Sequence, residues 1–276
     1  MGCRLDRNEL ERIAALIRQR SGIALEEGKL QRACRKIEAV MRRHGMASFH
    51  PFYHALRFEG NEALMQELIN AITINETYFW REHRQFEICC KKTLPHLDRE
   101  KEAGEAIRIL VAPCSSGEEL YSIVMAILEE GTVIKKRNIE IVGIDIDSAM
   151  IAKAKRGCYT RRSVEKLPES FLRKYFRKKE GLYCLDEIIK NAATFLTGNI
   201  FDEALIKRLG KFDILFSRNM LIYFDDKEKE VCFDRFTDLL KEDGYLFLGH
   251  ADAHRIDRKR FVPHEEGMQL FCKKGG

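Results

Sequence analysis

The chain has 276 residues, of which 45% are hydrophobic and 33% charged, and its formal net charge is +5. This length and composition suffice for one large α/β domain with a smaller companion. No apolar run reaches the roughly 18 residues of a membrane span and no signal-peptide pattern opens the chain, so we expect a cytoplasmic protein. The nine cysteines form no C-x-x-C pair. They favour buried thiols over disulfides or a metal site.

The first third of the chain has apolar residues at helical spacing and no strand pattern. Leu10, Ile13 and Ile17 repeat on one face of the first predicted helix. Helices are predicted over 8–20, 27–43, 48–58 and 61–73. We therefore expect an all-helical N-terminal domain over residues 1–84.

The second predicted helix has apolar side chains on one face and basic side chains on the other. Its segment 29–43 contains six basic residues and a single acidic residue. A solvated surface helix is the usual explanation for such a pattern, and docking to an acidic partner is the alternative. For the docking alternative, the predicted contact residues are Arg32, Arg35, Lys36, Arg42 and Arg43.

From about residue 90 onward, predicted strands and helices alternate. Strands are predicted over 107–112, 139–145, 194–197, 212–217, 244–249 and near 268–273, and helices over 117–130, 148–156, 202–209 and 226–241. This alternation predicts an α/β fold with a Rossmann-like, doubly wound, mostly parallel sheet. Within 157–193, the segments 181–185 and 187–190 are predicted as short antiparallel strands. We expect one domain over 85–276 with a small β insert at about 170–193.

The turn after the first strand of this domain is the clearest functional pattern. The apolar run 107–111 ends before Pro113, small residues follow at 115–117, and Glu118 and Glu119 open the next helix. Acidic side chains at a helix N-terminus disfavour a phosphate ligand, and neither GxGxxG nor GxxxxGK[ST] occurs. A cofactor with a cationic end fits better, and S-adenosylmethionine carries an ammonium and a sulfonium.

The second strand of the domain ends in an acidic residue, Asp145. In a doubly wound sheet, a carboxylate at this position can accept hydrogen bonds from both ribose hydroxyls of a nucleotide-type cofactor. The alternative left open by the spacing is that Asp145 is the N-cap of the helix that begins at about residue 148.

Several longer strings together indicate a family. They are INETYFWRE at 74–82, APCSSGEE at 112–119, GNIFD at 198–202, FDILFSRNMLIYF at 212–224 and Gly249-His250. With these strings, in this order, the chain closely resembles the chemotaxis receptor glutamate methyltransferases of the CheR type over nearly its whole length.

The resemblance implies a cofactor, a site and a reaction. The cofactor is S-adenosylmethionine, with S-adenosylhomocysteine as product, and no metal is implied. The residues implied to bind it are Asn75, Thr77, Arg81, Glu119, Asp145, Asn199, Ile200, Arg218 and Asn219. Asn199 and Ile200 are expected at the adenine end, and Arg81 and Tyr223 near the transferring methyl group.

The implied substrate is a set of glutamate side chains on the cytoplasmic helices of chemotaxis receptors. A glutamate with a reference pKa of about 4.3 is already an anionic nucleophile at neutral pH, so the reaction needs no general base. The resemblance further implies a monomer that neither binds nucleic acid nor inserts into a membrane.

Two other functions compete with this interpretation. A non-catalytic S-adenosylmethionine-binding regulatory module would require the loss of site residues, and none is lost. A nucleic-acid methyltransferase would present an Asn/Asp-Pro-Pro-aromatic string after the fourth strand, where this chain has Ser-Arg-Asn-Met at 217–220.

The chain also departs from the family pattern. Leu120 replaces a usual Pro, Ser217 a usual Cys, and Ala251-Asp252 a usual Ser-Glu pair. The last departure is expected near the far edge of the domain, with an effect on substrate preference. The short insert between Phe176 and Gly181 favours the group that works without a receptor pentapeptide tether.

Overall fold

A computed structural model describes residues 5–25, 27–265 and 269–274 of the protein. The N-terminal third forms α1 (Arg7–Ser21), α2 (Glu27–Arg43), α3 (Phe49–Arg57) and α4 (Glu62–Ile72). Asp6 caps α1 and forms a reciprocal capping box with Glu9, which fixes where the helix begins. Apolar faces of the four helices pack around Ile13, Ile37 and Leu68. The four predicted helices are confirmed to within one residue at each end.

The rest of the described chain is built on two sheets and further helices. The strands are β1 (Ile107–Val111), β2 (Ile139–Asp145), β3 (Cys158–Tyr159), β4 (Phe176–Lys179), β5 (Leu182–Leu185), β6 (Thr194–Thr197), β7 (Phe212–Ser217), β8 (Leu240–Leu248), β9 (Phe261–Glu265) and β10 (Leu270–Lys273). The helices are α5 (Arg84–Ile88), α6 (Leu94–Glu100), α7 (Glu118–Glu130), α8 (Ser148–Arg156), α9 (Arg161–Val164), α10 (Glu169–Tyr175), α11 (Glu187–Asn191), α12 (Glu203–Leu209), α13 (Asp226–Leu239) and α14 (His250–Ala253). A π-helical turn, Cys89–Thr93, joins α5 to α6.

The large sheet has seven strands in the order β6-β2-β1-β7-β8-β10-β9. The first five of these are parallel, and β10 runs antiparallel to both β8 and β9. The predicted doubly wound, mostly parallel sheet is confirmed. The predicted last strand near 268–273 begins at Leu270, and residue 268 lies outside the described residues.

Side chains of β1 are buried on both faces of this sheet. Ile107, Ile109 and Val111 join the core on one side, and Leu110 joins the core on the other. This two-sided burial is why the strand is a continuous apolar run. No helix in the described part of the chain is long and apolar enough to cross a membrane.

The small sheet has three antiparallel strands in the order β3-β5-β4. The predicted strand over 181–185 is confirmed as β5, but the strand predicted at 187–190 is wrong, because that segment is helix α11. Asp186 precedes it, and its carbonyl accepts hydrogen bonds from the N–H groups of Ile189 and Lys190. β5 pairs with β3 on one edge and with β4 on the other. A strand containing Ile188 and Ile189 would therefore find no free edge of β5 to pair with.

The prediction that the cysteines are buried thiols and form no disulfide is wrong for one pair. Cys158 and Cys184 form a disulfide between β3 and β5, where they face each other in register with Cα atoms 4.0 Å apart. The pairing depends on the register of two strands that are 26 residues apart, which cysteine spacing alone cannot reveal. Cys89, Cys90, Cys114 and Cys232 are buried free thiols, as expected.

Candidate functional site

A cavity of about 320 Å³ opens at the carboxyl ends of β1, β2 and β7. The strand order reverses beside β1, and ligands of doubly wound sheets bind at such a switch point. The volume falls in the range of roughly 300–1,000 Å³ that is usual for ligand pockets. All ten residues predicted for the cofactor and for catalysis line this one cavity: Asn75, Thr77, Arg81, Glu119, Asp145, Asn199, Ile200, Arg218, Asn219 and Tyr223.

The turn between β1 and α7 forms the floor of the cavity. Gly117 has φ +90°, and a Cβ there would lie 3.0 Å from Ala154 and 3.1 Å from Tyr121, so both conformation and space require glycine. Ser115 has φ 46°, and its N–H donates to Asp145 Oδ2 at 2.7 Å. The small residues at 115–117 therefore form a turn that connects the ends of β1 and β2.

Asp145 is 4% exposed at the end of β2. Its Oδ1 accepts a hydrogen bond from the Asp147 N–H at 2.8 Å. Burial raises the pKa of Asp145 to about 6, against the hydrogen bonds that favour the ionised form. Asp145 does not cap α8: that alternative is wrong, because Asp147 is the residue directly before the helix and accepts from the N–H groups of Ala149 and Met150.

Arg218 and Glu119 form an ion pair at the β7 side of the cavity. Arg218 follows β7, its side chain is 1% exposed, and one of its guanidinium nitrogens lies 3.2 Å from Glu119 Oε2. Burial raises the pKa of Glu119, and the Arg218 charge opposes the shift. Glu119 Oε1 and Arg218 Nε are buried and have no hydrogen-bond partner among the described residues. Buried polar atoms without partners are costly, so they indicate a ligand that satisfies them.

Arg81 reaches the cavity from a strained segment between the helical region and α5. Trp80 has φ 68° and Glu82 has φ 52°, a conformation that costs such residues about 1–3 kcal/mol each. The Arg81 carbonyl accepts a hydrogen bond from Arg218 at 2.7 Å, and its guanidinium lies 5.7 Å from the Tyr78 ring centre. The contact with Arg218 and a hydrogen bond from Arg81 Nη1 to the Glu76 carbonyl hold Arg81 at the cavity in spite of this strain.

Polar contacts at Asp147 and Asn199 join the helical region to the sheet beside the cavity. Asp147 Oδ2 accepts from Asn75 Nδ2 at 2.7 Å and from Thr73 Oγ1 at 2.7 Å. Asn199 Nδ2 donates to the Arg20 carbonyl at 2.8 Å, and Asn199 Oδ1 accepts from the Phe201 N–H. Asn75 and Asn199, which are predicted to bind the cofactor, therefore also link the helical region to the sheet through their side-chain amides.

The linker between α1 and α2 is a wall of the cavity that the sequence analysis missed. Ile23, Ala24 and Leu25 of the linker line it together with Ser21 at the end of α1, and the Ala24 N–H donates to the Tyr223 carbonyl at 3.1 Å. In the sequence, only Gly22 marks this region, as the predicted end of the first helix. In the structure it is the C-cap of α1, with φ 76°. Nothing in the linker's composition marks it as part of a site.

The basic face of α2 divides into two groups. Arg32 and Lys36 are exposed and line the cavity, so they lie at its opening. Arg35, Arg42 and Arg43 are exposed but do not line it. Arg43 instead pairs with Glu67 of α4.

Comparison with known proteins shows which family this chain belongs to. Residues 75–268 match the family model described as "CheR methyltransferase, SAM binding domain", and residues 8–73 match "CheR methyltransferase, all-alpha domain". The chain belongs to the CheR methyltransferase family. Its cofactor is S-adenosylmethionine.

Named relatives agree with this assignment. "Chemotaxis protein methyltransferase 2" of Vibrio cholerae is 39% identical over 240 residues, which cover 85% of this chain and 82% of the relative. "Chemotaxis protein methyltransferase" of Campylobacter jejuni is 38% identical over 88% of each chain. "Probable biofilm formation methyltransferase WspC" of Pseudomonas aeruginosa is 30% identical over 92% of this chain and 59% of the relative.

The residues around the cavity fit this cofactor. Asp145 offers a buried carboxylate where ribose hydroxyls can donate, and Glu119 offers the unpartnered oxygen Oε1 to an ammonium group. The Ser115 hydroxyl is also buried without a hydrogen-bond partner among the described residues. These groups are acidic or polar, as a cationic cofactor requires.

Proposed function

We propose that this protein transfers the methyl group of S-adenosylmethionine to glutamate carboxylates on the cytoplasmic helices of chemotaxis receptors. The observation that carries the proposal is the arrangement of charge around the cavity. Acidic Asp145 and Glu119 lie at its buried floor, whereas the exposed basic side chains of Arg32 and Lys36 lie at its opening. The names of the relatives support chemotaxis as the pathway.

This arrangement suits an anionic acceptor on an acidic protein surface. The basic opening attracts such a surface and favours one carboxylate entering toward Arg81. Arg81 can then hold that carboxylate through paired N–H donors, which fixes the direction of its lone pairs.

Tyr223 is the second residue we assign to the reaction. Burial raises the pKa of Tyr223, so its phenol stays protonated at neutral pH and can donate a hydrogen bond. When bound, S-adenosylmethionine supplies an activated methyl group on a sulfonium. Arg81 and Tyr223 orient the attacking oxygen and exclude water, and such positioning can lower a barrier by roughly 7–11 kcal/mol.

The proposal assigns the cofactor-binding roles as the resemblance implies them. Asp145 takes the ribose, Glu119 the methionine ammonium, and Ile200 the adenine. Asn75, Thr77, Asn199, Arg218 and Asn219 complete the set. Because both polar ends of the Asn199 side chain are already engaged, we expect it to act by holding α1 against the cavity.

A methylation assay tests the acceptor directly. The full chain is incubated with tritiated S-adenosylmethionine and receptor cytoplasmic fragments, and base-labile release of methanol identifies glutamate methyl esters. We expect release from wild-type fragments and none from fragments whose acceptor glutamates are replaced by alanine.

Two further arms of the assay test the competing functions. Label in DNA or RNA instead of the fragments would favour a nucleic-acid methyltransferase. Cofactor binding without transfer to any acceptor would favour the non-catalytic regulatory module. Receptor fragments from a biofilm-controlling pathway belong in the panel, because one relative is named for biofilm formation.

A further inference from the structure

The turn after β8 lies directly against the loop that leads from β7 to Tyr223. A Cβ on Gly249 would lie 2.9 Å from the Asn219 nitrogen and 3.3 Å from the Arg218 Cα. Both are backbone atoms, which cannot move aside as a flexible side chain can. Glycine at position 249 is therefore required for α14 to pack against this loop.

This close approach brings Asp252 of α14 into contact with the loop. Its side chain is fully buried, with 0% exposure, and its Oδ2 accepts a hydrogen bond from the Met220 N–H at 3.0 Å. The N–H groups of Asn219, Leu221 and Ile222 also favour the ionised carboxylate, although burial raises the pKa of Asp252 overall. The sequence analysis placed this residue near the far edge of the domain. That expectation was wrong, because β8 lies next to β7 and delivers α14 beneath the Tyr223 loop.

The loop needs an acceptor at this place. A 3-10 turn, Leu221–Tyr223, ends the loop, and its own hydrogen bonds begin with the Tyr223 N–H to the Met220 carbonyl. The N–H groups before Tyr223 are those at the start of a helical turn, which have no partner within it. Asp252 supplies an acceptor oxygen to one of them, the Met220 N–H, from a different element 32 residues away in sequence.

We propose that Asp252 is a positioning residue for methyl transfer, which holds the loop 219–222 so that the Tyr223 side chain stays fixed at the cavity. The inference rests on the proposed role of Tyr223. Asp252 does not line the cavity, so it acts on the reaction through the loop and touches neither cofactor nor substrate.

The test is a double-mutant cycle between Asp252→Asn and Tyr223→Phe in the full chain. Asp252→Asn keeps the shape of the side chain but replaces an acceptor oxygen by a donor NH₂, which opposes the loop N–H groups. We expect kcat to fall up to roughly tenfold, as in Tyr223→Phe, with KM for receptor fragments and Kd for S-adenosylmethionine changed by less than about threefold. In the Tyr223→Phe background the same substitution should lower kcat by less than about threefold, because the group it positions is gone.

Two variants control for folding. Asp252→Glu keeps the carboxylate and should recover most of the turnover lost in Asp252→Asn. Asp252→Ala removes the acceptor without adding a donor, and it serves as the test if Asp252→Asn does not fold. Asp213→Asn alters another buried aspartate at the opposite end of β7 and should leave kcat unchanged. Unchanged kcat in Asp252→Asn or Asp252→Ala, or equal losses in the wild-type and Tyr223→Phe backgrounds, would overturn the proposal.

A spectroscopic measurement separates this inference from the proposed function. The protein has eight tyrosines, so 3-fluorotyrosine labelling gives a small set of ¹⁹F resonances, and Tyr223→Phe identifies the one from Tyr223. We expect Asp252→Asn to shift or broaden that resonance, and Asp213→Asn to leave it unchanged. An unmoved resonance rejects the positioning role, whereas failure of the wild-type protein to methylate receptor fragments rejects the proposed function.

Discussion

The amino edge and the carboxyl edge of the large sheet both bury charged side chains, but they satisfy them differently. At the amino edge, Asp213 of β7 lies 2.9 Å from Lys101 Nζ and 3.2 Å from Lys241 Nζ, and its other oxygen accepts the Arg108 N–H at 2.8 Å. Glu105 completes this cluster, and hydrogen bonds from Lys101 and Lys241 lower its pKa to about 2. Each oxygen of Asp213 therefore has a partner.

The carboxyl edge is less completely paired. Glu119 Oε1, Arg218 Nε and the Ser115 hydroxyl have no hydrogen-bond partner among the described residues, and burial raises the pKa of both Asp145 and Glu119. Removing one partner of a paired buried charge destabilises a fold because the other charge is left uncompensated, whereas unsatisfied polar groups at a cavity are a cost that ligand binding offsets. The comparison predicts that substitutions at the carboxyl edge change binding and turnover, and that substitutions at the amino edge change stability.

The largest effect is expected from Arg81 at the carboxyl edge. Arg81→Ala should lower kcat by roughly 100-fold or more, because it removes the charged donors that orient the acceptor carboxylate. Tyr223→Phe should lower kcat roughly tenfold through loss of one hydrogen bond. Steady-state methylation of receptor fragments and calorimetry with S-adenosylmethionine check both variants. Normal turnover at saturation with weakened cofactor binding would limit these residues to anchoring.

Asp145→Ala should weaken S-adenosylmethionine and S-adenosylhomocysteine by about 1.5–3 kcal/mol, since both ribose hydroxyls lose a charged acceptor. The free energy of unfolding should also fall, because the N–H groups of Ser115 and Asp147 lose their acceptor, so affinity is measured where the variant is still folded. Calorimetric titration and chemical denaturation measure the two quantities. Unchanged affinity removes Asp145 from the cofactor site.

Asp213→Asn tests the amino edge. It should lower the free energy of unfolding by roughly 1–3 kcal/mol, because the buried Lys101 ammonium loses one of its carboxylates and retains Glu105. Cofactor affinity should remain within experimental error of the wild type. A loss of affinity without a loss of stability would reverse the comparison between the two edges.

The pH dependence of cofactor binding follows from Asp145. Its pKa is raised from the ordinary 3.8 to about 6, so the folded protein binds a proton that the unfolded chain has released, and stability from this group declines as pH rises from about 4 to 6. The ionised form accepts the ribose hydroxyls, so the association constant should rise roughly tenfold between pH 5 and pH 7 and level off above pH 7. Glu119 contributes in the same direction. Asp145→Asn should flatten the profile measured by calorimetry, and an unchanged profile would assign it to another group.

The smallest effect concerns the basic face of α2, which lies at the opening of the carboxyl edge. Reversing Arg32 and Lys36 to Glu should raise the receptor KM roughly fivefold at low salt and remove its salt dependence, since exposed charges steer association and are screened. The matched pair Arg42→Glu and Arg43→Glu carries the same change of charge away from the cavity and should have a smaller effect. Equal effects of the two pairs on KM would favour a general attraction between opposite charges. An unaltered KM would indicate that the basic face of α2 is an ordinary solvated surface.

The sequence was sufficient wherever a signal is local or a motif is long. Helical periodicity predicted α1 to α4, apolar runs predicted the buried strands β1, β2 and β7, and the resemblance named ten residues that line one cavity. It did not predict helix α11, strand β9 or the helical segment 84–100. Short elements such as these are stabilised by packing against distant parts of the chain, which overrides their weak local pattern.

The cofactor and the reaction class were determined by the sequence itself, because the residues that carry them occur in recognisable strings. The tertiary structure decided how those residues are held. It placed the α1–α2 linker against the Tyr223 carbonyl, tied Asn199 to Arg20, and brought Asp252 beneath the Tyr223 loop. These contacts join segments that are 32 to about 200 residues apart, and only the strand order and the packing of helices bring such segments within hydrogen-bonding distance.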